Sequence, residues 1–385
     1  MQHCERGSVP VVSLKGKVIS FLPLSQLSTM RSNLVLPQSV GVGVGVGVGV
    51  LMGWWAWRRY SHPQLPTQWE EAGEVTRLVV YPLKSGGGIQ VNQADATPYG
   101  LTHQHANDRC LLVVTPDGKF ITGRQAPRLT TIHLTFDGTV VTFTSQHHPR
   151  SLSLTLDLTQ ITALNNVKEA VVFNADVRGY DCGDEAATWV SDVTQYSPGQ
   201  QEGQGQGQPP LRLLYNGDLT LDRVARKPTY YEFKQFKKTD TLFYADTCAY
   251  MLLSESSVEE LNTRLHSPVT SDWFRSNIIV KGTPAYDEDH WAYVKIGDVI
   301  LRRVKPCDRC VFTNVDPTKG TKTHDQEPLT TLKKYRLLKE PEAVAKACSA
   351  KPVFGVHLGI NQCGTIRLGD KVLVARTADN PNWKF

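Results

Sequence analysis

Val299-Ile300-Leu301-Arg302-Arg303-Val304-Lys305-Pro306-Cys307-Asp308-Arg309-Cys310-Val311-Phe312-Thr313-Asn314-Val315 is an apolar, β-branched run, then a Cys-x-x-Cys, then a second β-branched run. Residues 299–304 and 311–315 both read as strands. A Cys-x-x-Cys between strands is not the strand-to-helix setting of a thioredoxin-like dithiol. The same texture spreads outward through residues 75–81, 110–115, 211–215, 277–280 and 371–375. Residues 131–136 and 139–144 alternate around Asp137-Gly138, a strong hairpin signal. Helical pattern is sparse. It covers 184–196 and a segment opened by a Ser256/Glu259 capping box, with Val258, Leu261 and Leu265 on one face. Many short strands with few helices predict an α+β, β-rich fold of barrel-like sheets.

Residues 197–210 are Pro, Gly and Gln with almost nothing apolar, which predicts a flexible insertion. It separates a first domain at 73–196 from a second at 211–376, followed by a tail at 377–385. A chain of 385 residues is long enough for two such cores. The net charge of +5 is localised, because residues 1–60 hold six basic groups and one acidic group. The remaining 36 basic and 36 acidic groups balance, which leaves no electrostatic footprint for nucleic acid. Eight cysteines are spread thinly, unlike a secreted disulfide scaffold, so the body is expected in a reducing compartment.

The basic excess flanks an apolar stretch. Residues 40–57 carry no charge and end in Trp54, Trp55 and Trp57, followed at once by Arg58 and Arg59. Interfacial aromatics followed by cations predict one transmembrane helix. Residues 1–39 then form a leader and 58–72 a tether. The Gly-Val repeat also allows a low-complexity leader as the blander reading.

By spacing alone the Cys307/Cys310 pair admits four readings: half a zinc site, a dithiol, a single metal-binding or reactive thiolate, or inert packing. Lys305 and Arg309 would favour a thiolate. Lys84-Ser85-Gly86-Gly87-Gly88 is a candidate anion site, with glycines letting backbone amides approach a phosphate. Arg109, beside Asp108 at the start of an apolar run, is a second, unless it forms an ordinary structural ion pair. Arg275 and Asn277 are expected on one side of a strand, where they can recognise a polar heterocycle or simply satisfy each other. Asp246-Thr247-Cys248 adds hydroxyl or amide donors. No G-x-G-x-x-G occurs, so no nicotinamide or flavin dinucleotide site is expected.

These segments, in this order, resemble the MOSC family of molybdenum enzymes. Leu78-Val79-Val80-Tyr81-Pro82-Leu83-Lys84-Ser85 looks like the opening of its N-terminal β-barrel domain, and Arg178-Gly179-Tyr180-Asp181-Cys182-Gly183 like that domain's close. Phe274-Arg275-Ser276-Asn277-Ile278, the 305–310 motif and Val315-Asp316-Pro317 look like the MOSC domain itself. The segment ending Trp55-Ala56-Trp57-Arg58-Arg59 is similar to the anchor of its amidoxime-reducing branch. The resemblance spans roughly residues 40–375. It implies a molybdenum cofactor, with Cys310 as the metal ligand and catalytic residue. Lys84, Ser85 and Arg109 would hold the phosphate, and Thr247, Arg275 and Asn277 the pterin. Cys248 stands where the family often has Ser. It further implies reduction of amidoximes and N-hydroxylated bases, with electrons from cytochrome b5 and its NADH reductase. The location implied is the mitochondrial outer membrane, with the body facing the cytosol. A cofactor carrier or sulfuration-related protein is the alternative. The family at large also carries a pyridoxal phosphate association, to which no residue here is assigned.

Overall fold

The run that opens at Val299 stays extended as far as Asp308 and forms one of seven strands of a closed barrel. This is a computed structural model, and it describes residues 65–196, 210–219, 223, 233–339, 342–348 and 351–376. The barrel strands are β1 (Glu70–Val80), β2 (Tyr250–Ser254), β3 (Ile278–Lys281), β4 (Trp291–Ile296), β5 (Val299–Asp308), β6 (Val353–Gln362) and β7 (Lys371–Arg376). Their hydrogen-bonded order is β3-β2-β6-β5-β4-β7-β1, and β1 returns to β3 to close the ring. Closure removes every free strand edge. Leu78, Leu252, Ile278, Val294, Leu301 and Val356 fill the interior, each fully buried.

All neighbours are antiparallel except β2 and β3. A parallel pair needs a crossover, and helix α2 (Glu255–Asn262) supplies it. Its cap is Ser254, whose Oγ accepts from Ser257 N at 3.2 Å. The expected Ser256 cap lies two residues too late, because Ser256 Oγ donates instead to the Thr283 carbonyl at 2.7 Å.

The first segment packs around a separate core. Antiparallel sheets of four strands (Leu111–Val114, Val167–Val172, Ala175–Asp181, Arg212–Tyr215) and three strands (His133–Asp137, Val140–Thr144, Leu154–Asp157) share it. They form two separate sheets around that core. Helix α1 (Asp184–Thr194) seals the core with Ala186, Trp189, Val190 and Val193. The Asp137-Gly138 hairpin forms as expected, with Asp137 paired to Val140 and Gly138 at φ +55°.

The segments exchange strands across the 197–210 boundary. β1 comes from the first and is a stave of the second's barrel, whereas Arg212–Tyr215 follows the insertion and joins the first sheet. Among the described residues no helix is long and apolar enough to cross a membrane. The expected leader at 1–39, anchor at 40–57 and tail at 377–385 lie outside the described residues, as does 197–209 of the insertion.

Two local expectations need correction. Residues 311–314 form a short 3-10 helix, not a strand. Cys310 caps it, and its carbonyl accepts from Thr313 N at 2.9 Å and Thr313 Oγ1 at 2.8 Å. Arg275 is not on a strand with Asn277. It ends the 3-10 helix Ser271–Phe274 in the left-handed region at φ +55°, and β3 begins only at Ile278.

Candidate functional site

A cleft of about 400 Å³ opens where the barrel meets the loops of the first segment. Lys84, Ser85, Arg109, Thr247, Arg275, Asn277 and Cys310 all line it. The chain order scatters these residues over more than two hundred positions, and the strand exchange brings them together.

The two cysteines of the motif part company. Cys307 is the last apolar residue of β5, packed with Met251, Phe274 and Phe354, and burial pushes its thiol up. Cys310 lies past the strand end and is partly exposed to the cleft. Arg309 between them is buried and holds the turn. Its Nε and Nη2 donate to the Phe354 carbonyl at 2.9 and 2.6 Å, and its Nη1 to the Phe274 carbonyl at 2.9 Å. A thiolate is the metal-binding form of cysteine, and among the described residues no group of three or more His, Cys, Asp or Glu can hold a metal ion. A structural zinc site normally needs four ligands, whereas a single thiolate can serve as one ligand of a soft metal.

The same cleft is lined by a cluster of cations. Lys84 is buried and ion-paired to Asp246, with its Nζ 5.3 Å from the Phe173 ring centroid. Burial pulls its ammonium down to about 8, against the pull of Asp246 in the other direction. Arg109 is paired with Asp108, which is itself fully committed. Asp108 Oδ1 accepts from Tyr81 N and from Asn277 Nδ2, each at 2.9 Å. Arg109 and Arg275 both stack on the Tyr81 ring, at 4.7 and 4.3 Å from its centroid. Arg275 donates through Nη1 to the Gly86 carbonyl, while its buried Nη2 has no hydrogen-bond partner among the described residues. Burial and then the neighbouring Arg109 lower its guanidinium to about 10. Three cations on one cleft, one of them buried, favour an anion over a cation there electrostatically.

Two of the expected contacts act indirectly. Asn277 uses all its capacity inside the protein: Nδ2 donates to Val79 O at 3.1 Å and to Asp108, and Oδ1 accepts from Arg109 Nη1 and Met251 N, both at 3.3 Å. It positions Arg109 and contributes no spare donor. The glycines after Ser85 also differ from expectation. Gly86 N and Gly87 N bond to the Leu83 and Ile132 carbonyls at 2.9 and 2.8 Å. Those amides are spent, and the glycines are there because side chains would not fit. A Cβ on Gly88 would come within 2.4 Å of Val79. Ser85, at φ +67°, turns the chain toward the cleft.

Sequence reasoning missed Arg124, Phe173, Phe312 and His357, which also line the cleft. Arg124 and Phe173 lie on loops without periodicity. Gly123 approaches Phe312 so closely that a Cβ would sit 2.2 Å from its ring. That glycine was the available signal, though nothing in one sequence says what it touches.

The chain matches two families along its length. Residues 72–196 match the MOSC N-terminal beta barrel domain, and residues 239–373 match the MOSC domain. It is 36% identical over 334 residues to mitochondrial amidoxime-reducing component 1 of Mus musculus, covering 86% of this chain and 91% of that one. It is 34% identical over 353 residues to mitochondrial amidoxime reducing component 2 of Rattus norvegicus, covering 90% and 98%. Against component 1 of Homo sapiens the identity is 34% over 336 residues, covering 87% and 93%.

Proposed function

This chain belongs to the MOSC family of the mitochondrial amidoxime-reducing components, and on that premise we propose that it is a molybdenum-cofactor-dependent reductase of N-hydroxylated compounds. The observation that carries the reading is the pairing in one cleft of an accessible thiol, Cys310, with cations that include an unmatched buried donor on Arg275. This donor set fits the group: a soft thiolate for the metal, and Lys84, Ser85 and Arg109 for a phosphate. When bound, the cofactor would supply the two electrons that cleave an N–O bond. The protein's part is to fix geometry. Cys310 would hold the metal, Asp108 and Asn277 aim Arg109, and Tyr81 keeps the two guanidinium groups stacked. Thr247 and Arg275 would meet the pterin. Phe173 and Phe312 wall the cleft with aromatic surface.

Amidoximes and N-hydroxylated bases are the substrate class, and the electrons come from cytochrome b5 and its NADH reductase. The lack of a dinucleotide fingerprint supports an external donor. The test is a reconstitution with a model amidoxime. NADH plus this chain should yield no product, and adding both partners should yield turnover. Substantial NADH-driven reduction by the chain alone refutes the partner assignment, and no turnover by a molybdenum-loaded chain with an artificial reductant refutes the enzyme.

The relatives' names support a mitochondrial location. Arg58 and Arg59, directly after the apolar 40–57 segment, support an outer-membrane anchor with the body facing the cytosol. Protease added to intact mitochondria should then digest residues 61–385. Full protection while the outer membrane is intact would rule the orientation out.

A further inference from the structure

Arg124 carries into the cleft a positive charge that no carboxylate among the described residues balances. Its side chain is half-buried. Among those residues it makes one hydrogen bond, from Nε to Thr122 Oγ1 at 3.3 Å, and lies 5.7 Å from the Phe173 ring centroid. Neither contact engages Nη1 or Nη2. The other cations of the cleft are committed. Lys84 is paired with Asp246 and Arg109 with Asp108. Arg275 donates to the Gly86 carbonyl, Arg309 donates to those of Phe274 and Phe354, and Lys351 Nζ lies 3.5 Å from Asp308. The loop that carries Arg124 is fixed beside the cysteine turn, because Gly123 packs against the Phe312 ring.

The charge of the whole cleft points the same way. Among the described residues six basic side chains line it against two acids, Asp246 and Asp308, a formal excess of four positive charges. A phosphate held by Lys84 and Arg109 takes up about two of them. The cleft therefore still favours a further anion. One guanidinium with its two terminal nitrogens unused matches a planar carboxylate, which accepts two parallel N–H bonds. Phe173, Phe312 and Trp273 line the same cleft and offer ring surface to the flat body of such a molecule.

We propose that Arg124 binds substrate, and that the compounds this chain takes best are N-hydroxylated molecules bearing a carboxylate. Arg124 holds the carboxylate, and the aromatic walls hold the ring that carries it. The inference rests on the reductase reading above.

Two benzamidoximes of one shape test it, one with a para-carboxylate and one with a neutral para-carboxamide. The full chain, loaded with cofactor and driven by an artificial reductant, should prefer the carboxylate by about tenfold in kcat/KM. Arg124→Ala should erase that preference, chiefly through KM, and Arg124→Lys should keep part of it. A ratio of two substrates on one sample is blind to the fraction folded. Rising salt should shrink the wild-type ratio. Independently of turnover, benzoate titrated calorimetrically into the loaded chain should bind Arg124→Ala about tenfold more weakly than wild type. Molybdenum and pterin per protein are measured for each variant. An unchanged ratio or an unchanged benzoate affinity in Arg124→Ala overturns the inference and leaves the reductase reading standing. Loss of cofactor from Arg124→Ala with the ratio preserved assigns the residue to the cofactor and also overturns it. A loaded wild type that reduces neither compound overturns the reductase reading, and the benzoate titration then decides the role of Arg124.

Discussion

Cys310→Ala should abolish turnover and strip the protein of molybdenum while leaving the body folded, whereas Cys307→Ala should keep most of both. The two thiols sit three residues apart, yet the fold gives them opposite environments. Cys307 faces apolar neighbours, where burial raises its thiol and keeps it protonated. Cys310 lies beyond the end of β5 and opens to the cleft. Only a thiolate with access to the metal can ligate it. Removing the Cys307 sulfur instead leaves a small cavity, a loss of about 1 kcal/mol of stability. Full activity in Cys310→Ala would sink the assignment. Metal analysis and thermal melting of both variants separate loss of the ligand from loss of the fold.

The second large effect belongs to the cations. Lys84→Ala and Arg109→Ala should each weaken cofactor retention by roughly tenfold or more, since charge-assisted hydrogen bonds are worth about 1.5–3 kcal/mol each. The double variant should lose close to the product of the two. Retention in the wild type should also depend on pH with a definite sign. The ammonium of Lys84 is lowered to about 8 by burial. A bound phosphate favours the charged form and raises that value. Retention is therefore full below about 8 and falls as pH climbs through it toward the bound-state value. Lys84→Arg, which stays charged, should flatten this fall. Unchanged molybdenum content in both single variants and the double variant would remove the clamp from the account.

What the sequence made legible follows from the range over which each signal acts. The Asp137-Gly138 turn is a local device, and the hairpin formed where expected. The candidate ligands were legible as residue types in suggestive company, and all seven line one cleft. Their roles were less so. Asn277 looked like a ligand, but four contacts from three distant segments use it up. The glycines after Ser85 looked like an amide nest, but two of those amides bond to carbonyls that the sequence does not place nearby. Residues 311–314 carried β-branched propensity, which the short-range bonds from Thr313 to Cys310 overrode. His357 was invisible because a lone histidine in a strand has no spacing to mark it.

The exchange of strands between the segments has a consequence for synthesis. β1 leaves the ribosome before any other stave; its C-terminal end pairs with nearby Ile89–Val91, but the two staves beside it are encoded far downstream, with Glu74 pairing to Lys281 and to Lys371. About 300 residues must follow before its second flank is covered, which at roughly 5–20 residues per second takes about 15–60 s. Through that interval residues 70–74 lack their β7 partner, while residues 78–80 are already paired to Ile89–Val91. A nascent chain arrested before Lys371 cannot close the ring, so one flank of its earliest stave stays open until the last one arrives.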